Sequence, residues 1–170
     1  MTTANKLTIL RVALIPVFLV LLYLGFRRAA LAVFIVASLT DLLDGYIARH
    51  YGQITDFGKF MDPLADKMLV MAAMCYFAEA GEMYGWVLAL VLLREFAVSG
   101  MRLVAVEQGR VIAAGWSGKV KTASTMVCLC LMLVISVQWL NLVCQAVILL
   151  STLYSGAEYF VKNRDVFKSA

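Results

Sequence analysis

Four aspartates sit at two tight spacings within one stretch, DLLDGYIARHYGQITDFGKFMDPLAD, which runs from Asp41 to Asp66. Asp41 and Asp44 are three residues apart, and Asp62 and Asp66 are four apart. On a helix, residues at these spacings share a face, so each pair presents two carboxylates in one direction. Hard oxygen donors at this density suit Mg²⁺, Mn²⁺ or Ca²⁺. Two such pairs brought together suit two cations arranged around an in-line attack on phosphorus. Either pair alone is a common surface pattern. Apolar runs flank this stretch on both sides, and the small residues Gly45, Ala48 and Gly58 lie beside the carboxylates. The two pairs together are therefore not a solvated face. Asp56 falls outside both spacings and is expected in the loop, with Gly52, Gln53 and Thr55.

A second set of charges lies further along. Arg94, Glu95 and Arg102 interrupt one apolar run, and Lys119 and Lys121 open the next. Ionisable groups at membrane depth are functional candidates by default. Arg94 and Arg102 are eight apart, close to two turns, and share a face. Arg94 and Glu95 are adjacent, point about 100° apart and need not pair. Glu95 then supports Arg94 or pairs two helices. Of the lysines, Lys119 is the stronger candidate. The bland alternative for both is snorkelling to the headgroups. The set Arg94, Arg102 and Lys119, with Lys121 beside it, would receive a second anion such as a phosphomonoester. His50 reads as an interfacial residue at a helix end. Cys75, Cys128, Cys130 and Cys144 fall in apolar runs with no metal-type spacing and read as small core residues without disulfides.

The elements that hold these groups follow from composition. The chain has 170 residues, enough for a single domain over residues 1–170. Hydrophobic residues make up 63% and charged residues 15%, against roughly 45–50% and about 25% in soluble domains. These values imply an integral membrane protein, all-α, because an unpaired backbone in lipid is prohibitive. Six runs are expected to span: Leu7 to Phe26, Ala29 to Arg49, a third from near Asp62 with Pro63 in its first turn, Tyr84 to Glu107, Lys119 to Val137, and Leu140 to Phe160. The polar first turns of the N-terminal segment, Asn5 to Arg11, are expected at the interface. In this zigzag every polar cluster falls on one side of the membrane, and the other half reads as bare of polar groups. Lys6, Arg49, Lys59, Arg110, Lys119, Lys162, Arg164 and Lys168 bias the polar side towards the cytoplasm, with Arg27 and Arg28 as a minority opposite. The net charge of +4 suits an anionic lipid surface.

Asp41, Asp44, Gly45, Ala48, Arg49, Gly58, Asp62 and Asp66 meet the pattern D-x-x-D-G-x-x-A-R-(8 residues)-G-x-x-x-D-x-x-x-D without a gap. The stretch resembles the signature of the CDP-alcohol phosphatidyltransferase family. NKLTILRVALIPVF, LREFAVSGMR, GKVKT and YSGAEYFVKNRDVF resemble its bacterial phosphatidylglycerophosphate synthase branch. The resemblance implies transfer of a phosphatidyl group from CDP-diacylglycerol to glycerol 3-phosphate, with release of CMP. It also implies a bacterial inner (cytoplasmic) membrane location, a homodimer and no nucleic-acid partner. Carried over position by position, Asp41, Asp44, Asp62 and Asp66 match metal ligands for two cations, Mg²⁺ or Mn²⁺. Asp66 matches the general base, and Gly45, Ala48, Arg49 and Gly58 match CDP-binding positions. Synthases of phosphatidylinositol phosphate, phosphatidylserine or cardiolipin share the aspartate motif and are the nearest alternatives. A membrane prenyltransferase also binds a diphosphate through Mg²⁺, but lacks the G-x-x-A-R element. A transporter would need polar groups on both halves of the membrane.

Overall fold

The computed structural model of the chain describes the backbone of residues 3–50, 56–109, 112 and 115–167. It describes side-chain surroundings for those residues except 3–6, 41–50, 56–63, 66 and 166–167. Six α-helices account for almost all of it: α1 (Thr3–Tyr23), α2 (Arg27–His50), α3 (Asp56–Glu79), α4 (Gly85–Glu107), α5 (Trp116–Val134) and α6 (Gln138–Lys162). A short 3-10 turn at Arg164–Phe167 follows, and no strand occurs among the described residues. Two compact units divide the chain, Met1–Phe77 and Ala78–Ala170.

In the first unit α1 and α2 form an antiparallel hairpin. Gly25 turns the corner at φ 82°, a conformation that costs a glycine nothing. The Phe26 N–H donates to Leu21 O and the Gly25 N–H to Leu22 O, both at 2.9 Å, which closes the carbonyl end of α1. A seam of Thr8, Arg11, Ile15, Phe18 and Leu22 is buried along α1, at alternating spacings of three and four. Ala30, Phe34 and Ala37 are buried along α2. The Phe18 and Phe34 rings meet at 5.6 Å. One charge lies in this seam: Arg11 is fully buried and its Nε donates to Ala37 O at 3.2 Å. The C-terminal end of α3 reaches α1 through Tyr76, whose hydroxyl donates to Leu22 O at 3.4 Å and whose ring meets Tyr23 edge-on at 5.5 Å.

The third helix corrects the sequence expectation. It starts at Asp56, six residues before Asp62, so Asp56 belongs to the helix and not to the loop. Pro63 consequently lies in the helix interior and not in its first turn. An acidic residue at a helix start is favoured by the helix dipole, and that local preference accounts for the earlier boundary. The loop positions Gly52, Gln53 and Thr55 lie outside the described residues.

In the second unit, α4 and α6 run parallel and in register. The Tyr84 N–H donates to Gln145 Oε1 at 2.8 Å and Arg94 NH2 donates to Ser155 Oγ at 2.6 Å, each across 61 residues. The helix α5 runs against α6, with Ser124 Oγ and Ser151 Oγ 3.4 Å apart and the Gly118 position close to Ser155. The three helices therefore alternate in direction, α5 antiparallel to α4 and α6. Val87, Val91, Leu129, Met132, Leu133 and Ile148 are buried between the two ends of the unit. A satellite core of Val98, Met101, Ala105 and Tyr159 lies nearer the α6 C-terminus.

Two further expectations change here. The end of the unit marked by Tyr84 is not bare: Asn141 and Gln145 are buried there. Gln145 Nε2 donates to Glu82 O at 3.1 Å, and Asn141 Nδ2 approaches Glu82 Oε2 at 3.5 Å. Gln145 thus pairs with the α4 N-cap residue and with the turn before it, which explains its burial in an otherwise apolar helix, whereas Asn141 Oδ1 is buried without a partner. Six helices are present, but among the described residues two, α5 and α6, are long and apolar enough to cross a membrane by length and composition. A shorter apolar stretch, Leu7–Tyr23, lies in α1. The fourth falls short because Arg94, Glu95 and Arg102 lie within it. All four cysteines are free; Cys128 and Cys144 are buried as expected, whereas Cys75 is exposed.

Candidate active site

Each unit carries one of the two constellations found in the sequence. In the first, α2 runs through Asp41, Asp44, Gly45, Ala48 and Arg49, and α3 runs through Gly58, Asp62 and Asp66. Both aspartate pairs therefore lie on helical backbone, as their spacings require. The side chains of these eight positions lie outside the described residues, as does that of His50. Among the described residues no group of three or more His, Cys, Asp or Glu side chains is placed to hold a metal ion. The chemistry of the donor set still fits divalent cations, since four carboxylates at helical spacings offer hard oxygen ligands only.

The second unit gives a fully drawn site. Glu95 lies on α4 with its side chain 9% exposed. Its Oε1 accepts from Arg94 NH1 at 2.8 Å and from Lys121 Nζ of α5, also at 2.8 Å. Arg94 continues to Ser155 Oγ on α6. One carboxylate oxygen thus ties three helices together. Adjacent residues leave a helix about 100° apart, so the sequence suggests no Arg94–Glu95 pair. Both side chains are long enough to converge beyond the backbone, and Lys121 supplies the reason for Glu95 to turn there.

The cluster holds two cations and one anion in a largely buried setting, Lys121 and Glu95 more deeply than Arg94. A buried carboxylate between two cations is stabilised by both, and removal of one partner leaves an uncompensated charge, at a cost of about 3–5 kcal/mol. The hydrogen-bonding capacity is not fully used. Arg94 Nε is buried with no partner, and so is Thr152 Oγ1 one turn before Ser155 on α6. Arg94 also lies close to α6 at Gly156, where an added Cβ would come within 3.1 Å of Arg94 Cγ.

The other expected anion-binding residues divide. Arg102 faces the same helix as Arg94, with its Nε donating to the Tyr159 hydroxyl at 2.9 Å and its guanidinium 5.4 Å from the Tyr159 ring centroid. Lys121 is buried inside the cluster. Lys119 is exposed and lies 6.0 Å from the Trp116 ring centroid, away from Glu95. The structure therefore joins Arg94 to Lys121, and leaves Lys119 outside the buried cluster. Ser155 and Tyr159, which the sequence reading did not single out, are the α6 partners of the two arginines. Their spacing of four beside Gly156, in the polar end of an apolar helix, was the available signal.

Comparison with known proteins decides the family. The model of the CDP-alcohol phosphatidyltransferase family matches residues 1–153. The chain belongs to the CDP-alcohol phosphatidyltransferase family. It is 36% identical to the CDP-diacylglycerol–glycerol-3-phosphate 3-phosphatidyltransferase of Bacillus subtilis, over 98% of this chain and 97% of that protein. It is 42% identical to the protein of the same name from Salmonella typhimurium, over 72% of this chain and 71% of the relative. A third so named, from Pseudomonas fluorescens, is 41% identical over 78% and 72%. The family match runs across the division between the two units and takes in the aspartate motif, Arg94, Glu95 and Lys121, ending just before Ser155.

Proposed function

We infer that this chain transfers a phosphatidyl group from CDP-diacylglycerol to glycerol 3-phosphate, giving phosphatidylglycerophosphate and CMP. The observation that carries this reading is the end-to-end match to a relative of that name, which includes the unbroken aspartate signature. The anion-ready cluster of the second unit suits the acceptor, whose phosphate distinguishes it from a simple alcohol. We read residues 1–170 as one catalytic domain, since the family match spans both units.

In the reaction an acceptor hydroxyl oxygen forms a bond to the phosphatidyl phosphorus, and the bond from that phosphorus to the CMP oxygen breaks. The hydroxyl proton passes to Asp66, the proposed base. Asp41, Asp44, Asp62 and Asp66 would hold two divalent cations, Mg²⁺ or Mn²⁺, which when bound would neutralise the diphosphate and the departing CMP. Gly45, Ala48 and Gly58 have little or no side chain, so a nucleotide can lie close to the helices, and Arg49 supplies a positive charge to it. Arg94 and Lys121, with Arg102 and Lys119 nearer the polar end, take the acceptor phosphate. An arginine grips a phosphate with two parallel hydrogen bonds, and a lysine adds a point charge.

We further propose that all six helices cross the bilayer, with the aspartate-bearing ends at the cytoplasmic face of a bacterial inner membrane. Support comes from α4, whose Arg94, Glu95 and Arg102 are internally bonded while Leu93, Phe96 and Leu103 stand exposed on its outer face. Exposed Tyr84, Trp86 and Trp139 mark one end of the second unit, and exposed Trp116 marks the other. Aromatic residues take such places at both membrane interfaces. A homodimer is proposed from the family resemblance. The deciding experiment offers glycerol 3-phosphate, glycerol, inositol phosphate, serine and phosphatidylglycerol to the purified protein and measures CMP release. Glycerol 3-phosphate should win clearly. A preference for serine, inositol phosphate or phosphatidylglycerol would leave the family standing and reassign the acceptor.

A further inference from the structure

We propose that Glu95 is the positioning residue of the acceptor pocket, acting through Arg94 and Lys121 and not on substrate itself. This rests on the reading that Arg94 and Lys121 take the acceptor phosphate. Three observations carry it. First, one oxygen, Oε1, accepts from both cations at 2.8 Å, so their separation is fixed by a single atom. Second, the pair is held on both flanks: Ser155 Oγ takes Arg94 NH2, and Gly156 leaves only the room that the Arg94 side chain fills. Third, the arrangement leaves donors unspent. Arg94 Nε has no partner, and an ammonium group has three donors, of which one goes to Glu95.

The charge arithmetic favours a support over a plug. Two cations and one carboxylate leave the cluster at +1, which still attracts a phosphomonoester. A carboxylate that merely occupied the pocket until substrate arrived would have to leave both cations and find new partners in a buried setting, which is costly. Without Glu95 the two cations repel each other across a low-dielectric interior and lose their preset separation. The pocket would then have to be ordered by the acceptor itself, which weakens binding. Donor use should change little, because the two cations that Glu95 holds, Arg94 and Lys121, are the ones assigned to the acceptor.

The test uses the purified full-length chain and titrates each substrate separately. Glu95→Gln should raise the KM for glycerol 3-phosphate by about tenfold or more, a loss of about 1.4 kcal/mol. The KM for CDP-diacylglycerol should stay within about twofold, on the same scale. Glu95→Asp, which keeps the charge, should recover part of the loss. Gly156→Ala keeps every charge and displaces Arg94; it should also raise the acceptor KM selectively, and it stands in if Glu95→Gln fails to fold. An unchanged or lower acceptor KM in Glu95→Gln overturns the proposal, the lower value being the signature of a plug. An equal rise in both KM values, without rescue by Asp, overturns it in favour of a merely structural carboxylate. Arg94→Lys separates the two levels of inference. If Arg94→Lys leaves the acceptor KM unchanged, the acceptor pocket itself is misplaced. If Arg94→Lys raises it and Glu95→Gln does not, only the role of Glu95 falls.

Discussion

At the residue scale the two constellations differ in what the sequence could show. The aspartate motif depends on spacing along single helices, so a reader of the sequence finds it without knowing any tertiary contact. The Glu95 bridge depends on α5 bringing Lys121 beside α4, and no periodicity within α4 reports that. This is why Lys119 looked the stronger lysine, whereas Lys121 is the one buried against the carboxylate. The residue predictions follow the same division. Asp41→Ala, Asp44→Ala and Asp62→Ala should each abolish turnover, since each removes an anionic ligand; CMP release checks this. Asp66→Asn should lower kcat by about 10²–10⁴-fold with smaller effect on CDP-diacylglycerol binding, the expectation for loss of a general base. Full activity in Asp66→Asn would remove it from that role. Arg94→Lys should raise the acceptor KM although the charge is kept, because a lysine cannot reproduce the fork of a guanidinium.

At the element scale the helices were legible and their ends were not. Apolar runs of about twenty residues dictate helices in or against lipid; six α-helices occur among the described residues, and two of them are long and apolar enough to cross a membrane. The start of α3 moved because one acidic residue suited a helix start better than a loop. Nor did the pattern reveal that Gln145 would bond the backbone at the α4 N-terminus, since a buried amide pairs with whatever polar group the tertiary structure brings near it. Gln145→Leu should destabilise the protein by about 1–3 kcal/mol, because the Tyr84 N–H and Glu82 O lose their partner; thermal unfolding in detergent would measure it. Topology has its own check. In a cysteine-free background, cysteines placed at Gln53 and Ser169 should react with impermeant thiol reagents only from the cytoplasmic side, and one at Gly81 only from outside. Labelling of the Gln53 and Gly81 positions from the same side would refute the six-span zigzag.

At the scale of the whole molecule, activity should vanish in EDTA and return with Mg²⁺ or Mn²⁺. Full turnover in chelator would remove the metal from the mechanism altogether. Composition made the membrane setting legible at once, because so few charges are left to face water. The depth of the charged cluster was not legible, since it depends on the register of α4 against α6. Ten residues separate Tyr84 from Arg94, which on an α-helix is about 15 Å, half of the roughly 30 Å hydrocarbon thickness. In the proposed membrane placement, a hydrated acceptor would have to come in that far from the polar end. What remains beneath it is the buried layer of Val87, Val91, Leu129, Met132, Leu133 and Ile148. With the helices placed across the bilayer as proposed, this layer would serve as an ion seal: a chain that lets water halfway through a membrane must keep the other half dry, or each round of lipid synthesis would leak protons.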